Sequence, residues 1–171
     1  MATTGTRRTI GTVAATGALA IALTGCSLPS DIASMLTGEA DRDGAGSVQS
    51  SSEIGIFNLQ VGDCKMEDQS GEILDTTVVP CDEPHDEEVY DEFAMADGDF
   101  PGVEAIQAEA EIYCVESFGD FVGMPWEDSA LEFFAIYPTQ GTWEQADDRI
   151  VQCVIWDPEG QVTGTLAGAA R

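Results

Sequence analysis

From Ile54 onward the chain alternates short apolar runs with one long stretch of helical spacing, the pattern of an α+β domain. Residues 57–61 read as a short strand closed by Gly62-Asp63, and residues 75–79 as another closed by Pro80. Across residues 88–95, Val89, Phe93 and Met95 fall on one side and Glu88, Tyr90, Glu92 and Ala94 on the other, which predicts a strand with one wet face. Pro101-Gly102 opens a helix over residues 103–118, because proline is tolerated where a helix has no use for its N–H. At about 100° per residue, Val103, Ile106, Ala110, Tyr113, Cys114 and Phe118 share an arc of about 140°, a core-facing stripe with Cys114 near its middle. Glu104, Glu109 and Glu116 point to solvent, and Gly119 ends the helix.

Residues 131–137 form a second strong strand signal, stopped by Pro138, and residues 150–156 a third with apolar positions on both faces, hence central. Between them, residues 139–148 suit a short helix carrying Trp143. After the turn Asp157-Pro158-Glu159-Gly160, residues 161–166 return as a hairpin strand and the last five residues fray. The architecture predicted is a small antiparallel sheet packed against one main helix and stapled by two disulfides.

The amino terminus reads as an address. Arg7 and Arg8 precede an apolar run over residues 10–23, shorter than the roughly 20 residues a membrane span needs. Residues 1–25 are therefore a signal peptide. Leu23-Thr24-Gly25 directly before Cys26 resembles the lipobox of bacterial lipoproteins, which implies that Cys26 becomes the first mature residue and carries a diacylglycerol, with acylation of the palmitate type. The competing reading is an ordinary signal-peptidase site with a chance cysteine; Thr6-Arg7-Arg8-Thr9-Ile10 matches a twin-arginine signal only loosely. Residues 26–53, rich in Ser, Gly and Asp, read as a flexible tether with a reach of about 26–31 Å. The folded domain is assigned to residues 54–171, outside the membrane and held to it through Cys26.

Charge narrows the partners. The chain holds 32 acidic and 6 basic residues, a net −26; removing residues 1–25 takes away two arginines and no acid, leaving −28. Nucleic acid is excluded as a partner, because phosphate binding needs a clustered positive field. A solvated acidic coat explains the carboxylates better than Ca²⁺ binding, since Asp97-Gly98-Asp99 and Asp41-Arg42-Asp43-Gly44 are too short for a calcium loop.

Five cysteines make an odd count, and lipidation of Cys26 leaves four for an exported protein to oxidise. Three pairings are open. Cys64 with Cys81 and Cys114 with Cys153 is favoured, since the first pair follows two neighbouring short strands and the second joins the helix stripe to the central strand. No metal site is assigned and no cofactor is required: there is no CxxC pair, and His85 is the lone histidine.

The most site-like cluster is Pro84-His85-Asp86-Glu87-Glu88, where an imidazole beside carboxylates has a base's surroundings but is better explained by capping or pinning the turn after Cys81. No serine stands in a GxSxG setting and every thiol has another use, so a hydrolase lacks a nucleophile. Arg149 and Lys65 are taken as the basic residues of the folded part, Arg149 in an ion pair with Asp148 or near Asp157. Trp126, Trp143, Trp156 and Tyr137 suit a groove for peptide or glycan, with Trp156 in the core and Trp143 the aromatic most open to solvent. His85, Trp143 and Arg149 are the candidate interaction residues.

Several patterns recur together: Val61-Gly62-Asp63-Cys64, Val79-Pro80-Cys81-Asp82-Glu83-Pro84-His85, Cys114 with Phe118, Tyr137-Pro138-Thr139, Trp143, Asp148-Arg149 with Cys153, and Thr163-Gly164-Thr165-Leu166. Together they resemble the septum formation domain of actinobacterial envelope proteins, over roughly residues 57–166. The resemblance implies an extracytoplasmic, cysteine-stapled domain linked to division and without enzymatic activity. One departure is Asp147, where the family often has glycine before Asp-Arg. The reading is a non-catalytic, lipid-anchored lipoprotein that engages an envelope protein, of unspecified identity, in envelope or septum processes. The alternative is a ligand- or cation-binding sensor in the wall space.

Overall fold

The computed structural model describes residues 1–2, 38–68 and 73–171, so nearly all of the expected signal peptide, Cys26 and the first part of the assigned tether lie outside the described residues. Six strands, β1 (Ser52–Gly55), β2 (Cys64–Lys65), β3 (Asp75–Val79), β4 (Glu87–Ala94), β5 (Glu132–Ile136) and β6 (Ile150–Trp156), form one open antiparallel sheet in the order β1-β3-β2-β4-β6-β5. Helix α1 (Val103–Val122) packs on one face, and the short helix α2 (Gln140–Gln145) links β5 to β6. The α+β class is as the apolar pattern predicts. No helix among the described residues is long and apolar enough to cross a membrane.

Strand β6 lies between β4 and β5, with Val151 through Ile155 all buried, as its two apolar faces require. Helix α1 buries Ile106, Ala110, Cys114, Phe118 and Val122 in a strict four-residue spacing. It runs past Gly119, which does not stop it. Burying Val122 next to Phe118 outweighs the glycine's helix cost of about 1 kcal/mol, and the stop is Gly123, whose φ of +87° is left-handed and whose N–H reaches the Gly119 carbonyl at 3.0 Å. Tyr113 is half-buried and Val103 exposed, at the rim of the stripe.

In β4 the expected alternation breaks. A bulge between Val89 and Asp91 inserts one residue, which reverses every later side chain. Val89 stands opposite Val154 on the face away from α1, whereas Phe93 stands opposite Val151, packed with Ile106 and Trp143 on the helix face. Glu87, Glu88, Val89 and Tyr90 are all buried, so the wet face exists only in the second half of the strand. Tyr90 uses the extra residue to reach α1, donating its hydroxyl to the Cys114 carbonyl at 2.6 Å; burial raises its pKa.

The folded part starts earlier than Ile54. Residues 56–58 are a 3-10 turn rather than a strand, and the strand is Ser52–Gly55, paired with β3. Val48, Ile54 and Leu59 are buried with Val78, Val89 and Val154 against the sheet face away from α1. Arg42 forms a two-pronged ion pair with buried Asp63, and its backbone bridges Val48. From Gly38, then, the assigned tether belongs to the domain. A polar, glycine-rich composition conceals this, because a few apolar anchors and one ion pair do the packing.

At the other end, residues 161–166 make no strand; Val162 forms a single bridge with His85. Nor do the last residues fray. Gly168 and Ala170 donate to the carbonyls of Phe121 and Val122 at 2.8 and 2.9 Å, and Arg171 pairs with Asp157.

Both favoured disulfides form: Cys64–Cys81 with Cα atoms 5.2 Å apart and Cys114–Cys153 with Cα atoms 5.5 Å apart. The second ties α1 directly to β6. Its 39-residue separation corresponds to about 4 kcal/mol of denatured-state entropy, against about 3 for the 17 residues of the first. Replacing Cys114 and Cys153 together by alanine should therefore lower the unfolding free energy by about 4 kcal/mol in a urea titration, and a loss under about 1 kcal/mol would mean that helix and strand hold together without it.

Candidate functional site

The register of β2 against β4 builds a buried polar strip. Lys65 stands opposite Glu87 and Cys64 opposite Glu88. Because side chains alternate across a strand, the two pairs point to opposite faces. Lys65 is fully buried, and its ammonium meets Glu87, Asp68 at 2.7 Å and the Met66 carbonyl at 3.1 Å. Burial pushes the Glu87 carboxyl above the usual range, and the neighbouring ammonium limits the rise. On the other face Glu88 accepts from the Thr165 hydroxyl at 2.6 Å and the Leu166 N–H at 2.7 Å. It thereby anchors the carboxyl-terminal segment.

His85 lies in the turn before β4, which the Cys64–Cys81 bridge ties to β2. It is completely buried. Its backbone exchanges two hydrogen bonds with Val162, at 3.0 and 2.9 Å. Ring Nδ1 lies 2.9 Å from the Glu83 carbonyl; because a carbonyl only accepts, Nδ1 is the protonated nitrogen. Nε2 is buried and has no partner among the described residues. The histidine does pin the turn, with one nitrogen left over.

Trp143 and Arg149 sit far along the sheet, near Phe93 and Met95. Trp143 is not open to solvent: it is 3% exposed, packs edge-on to Phe100 and donates its indole N–H to the Gly98 carbonyl at 2.9 Å. The Arg149 guanidinium lies 3.9 Å above the indole and donates to the carbonyls of Trp143 and Asp148. Its carboxylate partner at 3.0 Å is Asp147, not Asp148, and Asp157 is taken by Arg171. The positions of Arg42 and Arg171 also raise the basic residues of the folded part from two to four. Asp147 has φ +54°, a conformation for which glycine is the natural choice and aspartate a tolerated one.

The tryptophans do not converge. Trp156 is 38% exposed at the end of β6, while Trp126 packs edge-on to Phe133 and donates to Glu132. The concavity lies elsewhere, on the face away from α1. It is a groove of about 960 Å³ lined by Phe57, Leu74, Phe134, Ile136 and Ile150, with Glu92 and Asp148 the acids in its wall. Phe57 and Leu74 are each more than three-fifths exposed.

The septum formation family model matches residues 61–170, well over half of the chain. The chain belongs to the septum formation family. No curated protein and no solved structure matches it. The family places this septum formation domain in septum and envelope processes. Within the matched span lie both disulfides, Lys65 with Glu87, His85 and Glu88, whereas β1 and the Arg42 hairpin precede it. The buried ion pairs escaped notice because no local motif announces them. The one available signal was a lone lysine directly after a disulfide cysteine.

Two consequences are measurable. Lys65→Met leaves Glu87 buried without a cation and should cost about 3–5 kcal/mol, while Lys65→Met combined with Glu87→Leu should recover most of it in the same urea titration. Asp157 is held below the ordinary aspartate range: burial works against this, but the Glu159 N–H and Arg171 outweigh it. Its contribution to stability is present above the unfolded pKa and disappears as pH falls through the lowered folded value. The melting-temperature gap between wild type and Asp157→Asn should accordingly be largest near neutral pH and close on acidification below about 4; a gap independent of pH would contradict the assignment.

Proposed function

We propose that this protein is a non-catalytic lipoprotein, anchored through acylated Cys26 on the outer side of the cell membrane, whose domain engages an envelope protein in septum or envelope processes. The observation that carries the reading is the cysteine count. With Cys64–Cys81 and Cys114–Cys153 closed, four of the five cysteines are paired with one another, and the fifth, Cys26, stands directly after Leu23-Thr24-Gly25.

Two further features support it. Among the described residues the four thiols are held in disulfides and the histidine is buried, which suits a binding domain. The groove with exposed Phe57, Leu74 and Ile150 offers an apolar surface of the kind that proteins use for association. The domain begins by Gly38, so the distance from the anchor is bounded. Twelve residue steps from Cys26 span at most about 40 Å fully extended, which keeps the partner within the layer nearest the membrane.

The decisive test combines anchoring and position in growing cells. Cys26→Ser should shift the protein from the detergent phase to the aqueous phase or leave it unprocessed, and an unchanged distribution would refute lipidation. A fusion to a fluorophore that matures outside the cytoplasm should concentrate at the division site. Uniform surface label would refute the septal role while leaving the anchor intact.

A further inference from the structure

We propose that the Cys64–Cys81 bridge masks a metal site, and that on reduction Cys64, Cys81, His85 and Glu88 bind Zn²⁺ or a similar borderline divalent cation. The inference concerns the folded domain alone and does not depend on the lipid anchor.

Geometry supplies the donor set. The ligand atoms of Cys64, His85 and Glu88 lie within 4.8 Å of one another, and all three residues are buried. Cys81 is bonded to Cys64 and so brings a second sulfur to the same place. Tetrahedral zinc with bonds of about 2.0–2.3 Å puts its ligands about 3.3–3.8 Å apart, so the atoms of Cys64, His85 and Glu88 need draw in by no more than about 1.5 Å while the two sulfurs, no longer bonded, move apart.

The outer contacts already match those of a metal centre. His85 Nδ1 donates to the Glu83 carbonyl, which fixes the tautomer with its lone pair on Nε2. That lone pair is buried and unpartnered among the described residues. Both Glu88 oxygens are held by the Thr165 hydroxyl and the Leu166 N–H, the support a ligating carboxylate receives. Thiolate, imidazole and carboxylate together suit zinc rather than calcium.

The two bridges differ in access. Cys114 and Cys153 are both fully buried, whereas Cys81 is only half-buried and is followed by exposed Asp82 and Glu83. A dithiol reductant would attack Cys81 Sγ, forming a mixed disulfide with Cys81 and releasing the Cys64 thiolate. Its second thiol would then displace Cys81, leaving the reductant as a disulfide. Two electrons and two protons pass to the protein. Zinc binding then releases the two thiol protons.

The test uses the full chain carrying Cys26→Ser, reduced anaerobically with limiting dithiothreitol, freed of reductant and titrated with Co²⁺. Alkylation and mass analysis should mark Cys64 and Cys81 and spare Cys114 and Cys153. One equivalent of Co²⁺ should give a thiolate charge-transfer band with tetrahedral visible absorption, displaced by Zn²⁺ and absent from the oxidised protein. His85→Ala and Glu88→Gln should each weaken binding by about tenfold or more. Cys81→Ser, which frees Cys64 without any reductant, should bind Co²⁺ with about half the charge-transfer intensity, one thiolate in place of two. Absence of the charge-transfer band, labelling of Cys114 and Cys153 instead, or binding unchanged in His85→Ala would each overturn the proposal. The last outcome also covers a reduced chain that unfolds and binds metal through loose thiols.

Discussion

Burying a carboxylate in a chain this acidic requires a partner for its charge, and the fold is organised around meeting that requirement. Three interior carboxylates each have a cation: Asp63 has Arg42, Glu87 has Lys65 and Asp157 has Arg171. Glu88 is satisfied by a hydroxyl and a backbone N–H. Arg149, the remaining base among the described residues, covers Trp143. Arg42 and Arg171 fasten segments outside the sheet, the hairpin of residues 42–48 and the carboxyl-terminal residues, while Lys65 adds a side-chain tie between β2 and β4. An unpaired interior charge costs several kcal/mol, comparable to the whole stability of a domain this size, so these few contacts decide where those segments settle.

The covalent bridges divide the molecule into two unlike faces. Cys114–Cys153 locks α1 to β6, and the core beneath it, with Tyr90, Phe118, Leu131 and Ile155, is buried. Among the described residues the opposite face is covered by the turn around Leu59 and by Val48, and the groove with exposed Phe57 and Leu74 opens beside them. In this septum formation domain a rigid, stapled side therefore lies opposite a more open apolar one.

Much of the architecture was legible along the chain. Strand β6, strand β3, the start of α1, both disulfides and the short helix under Trp143 follow from periodicity, proline and cysteine spacing. Those signals are local, and each acts within a few residues. What was misread depends on contacts between distant segments. The bulge in β4 appears only when β4 is laid against β6, and it reverses Val89 relative to Phe93. Trp143 and Trp156 exchanged their assigned environments, because exposure is set by what packs on top: Arg149 and Phe100 on the first, while the second stands 38% exposed at the strand's end. The glycine-rich stretch before Ile54 was read by composition as tether, yet Arg42 and Val48 draw it onto the sheet.

The site divides in the same way. Residue types and spacing pointed to an acidic, cysteine-stapled α+β domain, its family, a favoured cysteine pairing and the resemblance of residues 1–26 to a lipoprotein signal, since charge, thiol count and short motifs are properties of the linear chain. Folding alone brought Lys65 against Glu87, Glu88 against Thr165, and Cys64, His85 and Glu88 into one buried cluster. Cross-strand register sets those encounters, and register is an outcome of the whole sheet finding its lowest free energy, which no stretch of sequence records.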